Sequence, residues 1–382
     1  MRNRNPDIQV KLYMKKTIVF LRFFVGILFI FSGLIKANDP LGLSYKMQEF
    51  FELWHLTYFN DYTLILSVLM IAFEIIAGVA VILGWQFKLF SWLLFGLIIF
   101  FTFLTGYAVI TGSVKECGCF GDCIKLTAEQ SFTKDIILLI VIGFLFSKRN
   151  IVSSIFKPLQ SVTILLATTI FSFVSQYYVL NHLPIIDCLP YKIGLTIQEE
   201  MKIPKDAITD STVINFVYNH DGKEIEFDTD HFPEDFNDSS YVFVRRYDKI
   251  IREGNAKPKI KDFVIINKNE KDTTSDILNA EGQVYLIITK SIDPTKINEN
   301  VMAQIKLLEL KAKRELTPML AVSADPDGLT NLFNEKKIDI EVCKGDLVAI
   351  KTAARTTPTI FLFEKGKILN KWGVADLEMA VK

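Results

Sequence analysis

Histidine and cysteine are scarce in this chain of 382 residues, which contains four of the first and five of the second. The histidines are scattered along the sequence, at His55, His182, His220 and His231. The sequence also lacks an HExxH zinc motif, a Walker-type phosphate loop and a Ser-His-Asp signature. These absences argue against a zinc metalloprotease, a nucleotide hydrolase and a serine hydrolase.

The chain has no excess charge of either sign, since 43 Lys and Arg balance 43 Asp and Glu. This balance argues against a protein built around nucleic acid, and the 50% of hydrophobic residues excludes a disordered chain. The overall balance arises because the two halves of the chain have opposite net charges. Residues 1–180 hold 15 basic and 10 acidic side chains, whereas residues 181–382 hold 28 and 33. We therefore predict a membrane half followed by a half in water.

A helix needs roughly 20 residues to cross a bilayer. Five apolar runs in the sequence approach or reach this length. They lie at about 17–35, 63–84, 88–110, 134–147 and 158–179. A cleaved signal peptide is the alternative for the first run. That run is long for a signal peptide and no small-x-small cleavage site follows it, so we expect it to remain as a span.

Basic residues in the connections predict the orientation of the spans. The connections on the side of the N-terminus hold nine, and those on the other side hold five. The five are Lys36, Lys46, Lys115, Lys125 and Lys134. We therefore expect a multi-pass protein of the inner membrane with a cytoplasmic N-terminus. Residues 181–382 would then be periplasmic.

Glu74 is an acidic residue in the middle of the second span, LMIAFEIIAGVAVILG. A charged carboxylate is costly there, so we expect Glu74 to be protonated or paired inside the helix bundle. One interpretation is a structural hydrogen bond between helices. The other is an intramembrane proton site or a quinone-type site.

Three cysteines lie close together in the predicted outward loop CGCFGDC, as Cys117, Cys119 and Cys123, and Cys188 follows the fifth span. In an oxidising compartment they would tend to form disulfides, and four cysteines allow three pairings. We consider a zinc site, a structural disulfide to Cys188 and an exchange-active disulfide. Cys343 ends an apolar run and is expected to be a small core residue.

The membrane half resembles the DoxX/MauE family of four-helix membrane proteins, in the form common in Bacteroidetes. The resemblance rests on FSGLIK followed by DP, on FEIIAGVAVILG, and on CGCFGD leading into a span whose start contains Thr133 and Asp135. It covers about residues 15–150. The family implies a bundle of four helices, to which this chain adds a fifth.

The resemblance also implies a function, because MauE proteins are implicated in maturing a disulfide-rich periplasmic dehydrogenase. Cys117 and Cys119 match the family's cysteine pair and become the expected redox pair. Cys123 and Cys188 would be resolving or structural cysteines, and Glu74 an intramembrane proton site. No cofactor is identified, although a quinone is compatible with this role. The expected partners are the bilayer and an envelope thiol protein.

The second half is predicted to fold into a small β-rich subdomain followed by an α/β domain. We place the boundaries at 1–150 for the four-helix domain, 151–180 for the fifth helix, 181–254 for the β-rich part and 255–382 for the α/β part.

The end of the chain, TTPTIFLFEKGKILNKWG, resembles the cis-proline edge of thioredoxin-like folds, with Thr357 and Pro358 as the expected substrate-binding edge. The strand VYLIITK lacks the CxxC that would follow it in a redox-active member. Asp293 and Pro294 stand there instead and predict a helix start. The resemblance thus implies a domain that binds rather than reacts, unless it presents its groove to the membrane cysteines.

Two functions follow from these predictions, and a third possibility, a transporter subunit, is indicated by Glu74 alone. The first is thiol–disulfide exchange or electron transfer through the cysteine loop. The alternative is a non-catalytic, membrane-anchored binding or assembly factor that uses a redox-inactive thioredoxin-like domain.

Overall fold

A computed structural model describes residues 6–114, 118–208, 211–229, 231–233, 236, 240–252, 254, 256–290 and 297–382. Five of its helical segments are long and apolar enough to cross a membrane. They are Tyr13–Ala37, Thr57–Leu83, Phe87–Thr111, Ala128–Ser147 and Pro158–His182. The prediction of five spans is confirmed, although most of the observed helices begin earlier than the apolar runs alone indicated.

The membrane half contains six helices: α1 Pro6–Ala37, α2 Pro40–Leu53, α3 Thr63–Leu83, α4 Phe87–Thr111, α5 Ala128–Ser147 and α6 Pro158–His182. A 3-10 turn, Thr57–Tyr62, precedes α3. The sequence analysis treated residues 36–62 as a loop, whereas α2 occupies much of it. The start of α2 is stabilised because Asp39 accepts a hydrogen bond from the amide of Gly42 and Pro40 fits the first turn.

Helices α1 and α3 pack closely at a pair of glycines. A Cβ atom added to Gly78 would lie 2.8 Å from the carbonyl oxygen of Gly26, and one added to Gly26 would lie 2.4 Å from Ile82. Small residues allow such an approach between membrane helices, where van der Waals packing drives association. This contact brings the middle of α1 against the C-terminal half of α3.

The three strands predicted after the membrane half are confirmed. They are β1 Ser211–His220, β2 Lys223–Asp228 and β3 Tyr241–Arg252, in an antiparallel sheet of order β2-β1-β3. Asp221 and Gly222 both have positive φ in the tight turn between β1 and β2. A short helix, α7 Ile197–Glu200, precedes this sheet.

The last part of the chain is an α/β domain with a six-stranded sheet. Its elements are β4 Ile265–Ile266, α8 Thr274–Leu278, β5 Gln283–Thr289, α9 Glu299–Arg314, β6 Met319–Ser323, α10 Pro326–Glu335, β7 Glu341–Gly345, α11 Leu347–Ala353, β8 Thr359–Glu364, β9 Lys367–Trp372 and α12 Leu377–Val381. The strand order is β4-β7-β6-β5-β8-β9. Strands β5, β6 and β7 run parallel, and β4, β8 and β9 each run antiparallel to a neighbour.

Strand β5 is the centre of this domain because apolar side chains leave both of its faces. Leu286 and Ile288 pack into one cluster with α7, α8 and α11, and Tyr285 and Ile287 pack into another with α9, α10 and α12. This is the pattern of a strand covered by helices on both sides. The prediction of an α/β sheet is therefore confirmed.

Some predicted boundaries in the α/β domain are wrong. Helix α9 begins at Glu299 and is capped by Asn298, which accepts a hydrogen bond from the amide of Val301. The predicted start at Asp293 and Pro294 lies outside the described residues and is not the start of α9. An asparagine cap was not anticipated because Asp-Pro is the more familiar signal.

The α/β domain lies against the ends of α1 and α6. Asn38 exchanges two hydrogen bonds with the backbone of Ile186, at 2.8 and 2.9 Å, and His182 at the end of α6 contacts Asp376 at 2.8 Å. Gly373 packs so tightly on the last turn of α6 that a Cβ atom would lie 2.1 Å from the His182 carbonyl oxygen. These contacts place the α/β domain at the end of the bundle where α1 and α6 finish.

The close approach of α1 and α3 yields a prediction. We expect Gly78→Ala to lower the free energy of unfolding by about 1–3 kcal/mol, since the new methyl group would press on the backbone of α1. Thermal unfolding in detergent measures the change. The matched control is Gly96→Ala in α4, which has no heavy atom within 4 Å of the added methyl group. Equal destabilisation by both substitutions would contradict the role of this contact.

Candidate functional site

A cavity of about 280 Å³ lies in the bundle where α1 to α5 meet the cysteine loop. Its walls are mostly apolar and include Phe50, Trp54, Phe101 and Leu138. The polar side chains in its wall are Ser32, Lys36, Lys46, Glu74, Thr105, Cys119, Lys134 and Asp135. An apolar cavity with a few convergent polar groups is the usual form of a small-molecule site.

The first polar group in the cavity wall is a buried ion pair between α1 and α3. The ammonium of Lys36 lies 2.6 Å from Glu74, and the two side chains are 4% and 1% exposed. Ser32, one helical turn before Lys36, donates to the other carboxylate oxygen at 3.2 Å. Glu74 is therefore paired inside the bundle, which is one of the two states that the sequence predicted for it.

A second ion pair lies in the wall at the start of α5. Lys134 contacts Asp135 at 2.6 Å, and Thr105 of α4 donates to the same carboxylate at 3.1 Å. Asp135 is fully buried, whereas Lys134 is 24% exposed and lies 5.4 Å from the ring centre of Phe120. Lys134, Cys119 and Glu74 all line the same cavity.

Cys119 is a half-buried free thiol on the cavity wall. Its carbonyl oxygen accepts a hydrogen bond from Ser32 at 3.1 Å, so the residue that contacts Glu74 also holds the loop. Gly118 and Gly121 have positive φ, and the amide of Gly121 donates to the carbonyl of Gly118 at 3.0 Å. These glycines permit the tight turn that brings Cys119 to the cavity.

The other described cysteine of the loop is in a disulfide. Cys123 is bonded to Cys188, which ties the loop to the segment after α6. The expected structural disulfide is therefore present in the structure. Its sulfur atoms are not available to zinc, and within the described residues no group of three His, Cys, Asp or Glu side chains could hold a metal. Cys117 lies outside the described residues.

Arg355 joins the α/β domain to both outer loops. It lies between α11 and β8, is 4% exposed, and contacts Asp39 before α2 and Asp122 in the cysteine loop, both at 2.7 Å. Burial alone would lower the pKa of Arg355, but the two carboxylates outweigh burial and raise it. The Arg355 guanidinium also lies 5.5 Å from the ring centre of Tyr45, whose pKa is raised by burial.

A second buried cation, Lys371 of β9, joins the α/β domain to the segment after α6. It lies 3.1 Å from Asp187, next to Cys188. Burial lowers the pKa of Lys371, and Asp187 only partly offsets this effect.

The predicted binding edge of the α/β domain directly follows Arg355. The peptide bond between Thr357 and Pro358 is cis, and both residues are buried. Arg355, two residues before Thr357, contacts the chain's own membrane half. The role of Thr357 and Pro358 as a binding edge stays a prediction.

Lys36 and Lys134 show where sequence reasoning missed part of the site. Both were counted as basic residues of outward loops, whereas both lie in helices. Lys36 pairs with Glu74 of α3, and Lys134 pairs with its neighbour Asp135. The position of Lys36 at the end of an apolar run, opposite a span that contains Glu74, could have indicated the first pair. The partners of Arg355 had no signal in the local sequence.

Cys343 has the role expected for a small core residue. It lies in β7, is 1% exposed, and packs with Val322 and Leu286 in the sheet core. Burial, with a smaller contribution from Glu341, raises the pKa of its thiol to about 11. Cys343 is therefore not a reactive cysteine in the folded chain.

Two family models match parts of the chain. Residues 14–148 match the family described as methylamine utilisation protein MauE, and residues 212–253 match a domain of unknown function, DUF8463. No curated protein and no solved structure is significantly similar to the chain. The first match and the five apolar helices make this chain a multi-pass membrane protein with a MauE-like membrane domain.

The Lys36–Glu74 pair yields a prediction for stability. Glu74→Gln leaves the Lys36 ammonium buried without a counter-charge, so we expect the free energy of unfolding to fall by about 3–5 kcal/mol. Unfolding in detergent measures this loss. Glu224→Gln is the matched control, because it breaks an ion pair with Arg245 in which both partners are more than half exposed. A loss no larger than in this control would contradict the burial of the pair.

The burial of Cys343 yields a prediction for its reactivity. Its ordinary thiol pKa of 9 rises to about 11, so at pH 8 we expect alkylation to be about a hundredfold slower in the folded chain than after unfolding. Peptide mass spectrometry after iodoacetamide treatment measures the two rates. Similar rates before and after unfolding would show that the thiol is accessible and ionised normally.

Proposed function

Since residues 14–148 form a MauE-like membrane domain, we propose that the chain acts in envelope thiol–disulfide exchange or electron transfer through its cysteine loop. The observation that carries the proposal is the position of Cys119. This free thiol lines an apolar membrane cavity that also contains two buried ion pairs.

A membrane quinone is the electron acceptor in this proposal. The cavity volume of about 280 Å³ suits a single-ring head group and lies near the lower end of small-molecule pockets. Its apolar wall favours such a ring, while the Lys36 and Lys134 ammonium groups each have protons left to donate to a ring oxygen. Quinones take up two electrons and two protons, which matches the oxidation of a dithiol.

The proposed step is balanced as follows. The thiols of Cys117 and Cys119 lose two protons and two electrons and form one S–S bond. The quinone accepts both electrons and both protons and becomes the hydroquinone. An envelope dithiol then exchanges with the new disulfide, leaves as a disulfide, and returns both cysteines to thiols.

The two ion pairs have distinct roles in this step. Glu74 is the group proposed to relay protons, because it lies in the cavity wall away from water. As a carboxylate it would take up a proton released by a cysteine thiol, pass it to the reduced quinone, and return to its ionised form. The Lys36 and Lys134 ammonium groups would stabilise negative charge that develops on the quinone oxygens or on sulfur. Cys123 and Cys188 hold the loop in place.

The remaining finer assignments belong to this proposal. We take the N-terminus to be cytoplasmic and the α/β domain to be periplasmic in the inner membrane, where the Cys123–Cys188 disulfide would be maintained. We also take the α/β domain to be thioredoxin-like. Three parallel strands, with two antiparallel strands beyond them, favour that assignment.

An assembly factor is the second candidate function. It is favoured by the Cys123–Cys188 disulfide, which gives two of the clustered cysteines a structural role, and by the burial of Cys343 in the α/β domain. In that case Cys119 would be dispensable.

A quinone-reduction experiment tests the proposal. The full chain in lipid nanodiscs is reduced mildly, with the Cys123–Cys188 bond verified by intact mass, and then freed of reductant. A short-tailed quinone analogue is added, and its absorbance and the protein thiols are followed. We expect about one quinone reduced per chain as two thiols disappear.

The variants decide between the two functions. Cys119→Ser should abolish quinone reduction, and Cys343→Ala should leave it unchanged because Cys343 lies in the core of another domain. If the unmodified chain reduces no quinone, or if Cys119→Ser reduces as much as the unmodified chain, the redox function is wrong.

A further inference from the structure

The cysteine loop is held at three points. At the membrane, Ser32 donates to the carbonyl oxygen of Cys119, and at the far end Cys123 is bonded to Cys188. Between them, Asp122 accepts a hydrogen bond from Arg355 at 2.7 Å. Only this third contact comes from the region between α11 and β8 of the α/β domain.

The third contact depends on one guanidinium that neutralises two carboxylates. Asp39 and Asp122 approach the same side of Arg355, and Gly42 lies beside them. A Cβ atom on Gly42 would be 3.1 Å from an oxygen of each carboxylate, so the glycine leaves room for both. Without Arg355 these two carboxylates would repel each other. The cysteine loop would then lose the ion pair that holds Asp122 beside Asp39.

Movement of Asp122 is transmitted to Cys119 by a short and tightly folded segment. The amide of Gly121 is bonded to the carbonyl of Gly118, and Phe120 forms a bridge with Ile124. Asp122 and Cys119 are three residues apart within this turn. A displaced Asp122 would therefore shift the turn in which Cys119 faces the cavity.

We propose that Arg355 is a positioning residue that holds the cysteine loop over the membrane cavity and thereby keeps Cys119 shielded and aimed at it. The occupant of this face of the α/β domain is the chain's own loop. The significance for catalysis rests on the proposed function, but the positioning itself does not.

The geometry of the contact distinguishes arginine from lysine. Arg355 donates through Nε to Asp39 and through Nη2 to Asp122, so two nitrogens serve two separate loops. A lysine keeps the charge but has one compact donor group. Arg355→Lys should therefore hold the loop less well than arginine and better than glutamine.

The test measures how fast Cys119 reacts with a charged, water-soluble maleimide. Cys117→Ser and Cys343→Ala in the full chain leave Cys119 as the reactive thiol, because Cys123 and Cys188 are bonded to each other. In this background we expect Arg355→Gln to raise the alkylation rate of Cys119 about tenfold, because the loop would open locally. The rate for Arg355→Lys should lie between those of the arginine and glutamine forms.

Two further variants make the result specific. Asp122→Asn removes the carboxylate through which the loop contacts Arg355, at a side chain that is 28% exposed. We expect it to raise the alkylation rate as much as Arg355→Gln does. It also provides the test if Arg355→Gln folds poorly. Asp376→Asn weakens the contact with His182 at the end of α6 without touching the loop contact, and should change the rate less than about twofold.

An unchanged rate in Asp122→Asn would overturn the positioning role. An equal increase in Asp122→Asn and Asp376→Asn would also overturn it, because that result would indicate general loosening of the interface. The measurement needs no quinone and no electron transfer. Failure of quinone reduction in the unmodified chain would therefore reject the proposed function and leave the alkylation rates to decide this inference.

Discussion

The need to neutralise buried positive charge links the parts of this protein. An unpaired charge removed from water is costly, so a carboxylate close by stabilises a buried cation. The pairs are Lys36 with Glu74, Arg355 with Asp39 and Asp122, and Lys371 with Asp187. Each pair joins two different segments. The position of one helix end, loop or strand is therefore set by the others.

The same pairs explain how an apolar cavity can contain charges. Lys36 and Lys134 lie in its wall, but each has a carboxylate within 2.6 Å and a hydroxyl group that completes the carboxylate's hydrogen bonds. A ligand would meet polarised groups that are already oriented. In our proposal, this preorganisation lets a thiol at the cavity wall exchange electrons in a region with little water.

Parts of the site were predictable because they depend on local chemistry. A carboxylate in an apolar span needs a partner, so Glu74 was expected to be paired, and it is. Clustered cysteines on one side of a membrane indicate disulfides, and the pair of Cys123 and Cys188 was one of the expected forms. The functional role of Cys119 stays a prediction. Lys36 and Lys134 were misassigned to loops because the helices extend beyond the apolar runs.

The sequence by itself determined the five spans, the β-rich segment and the alternating α/β pattern, since helix and strand periodicity are properties of neighbouring residues. Tertiary structure alone decided which charges meet. Lys36 pairs with Glu74, which lies 38 residues away in the sequence. Arg355 pairs with Asp122 and Asp39, which lie 233 and 316 residues away. No local pattern specifies such partners, because their energy arises only when folding brings both charges out of water together.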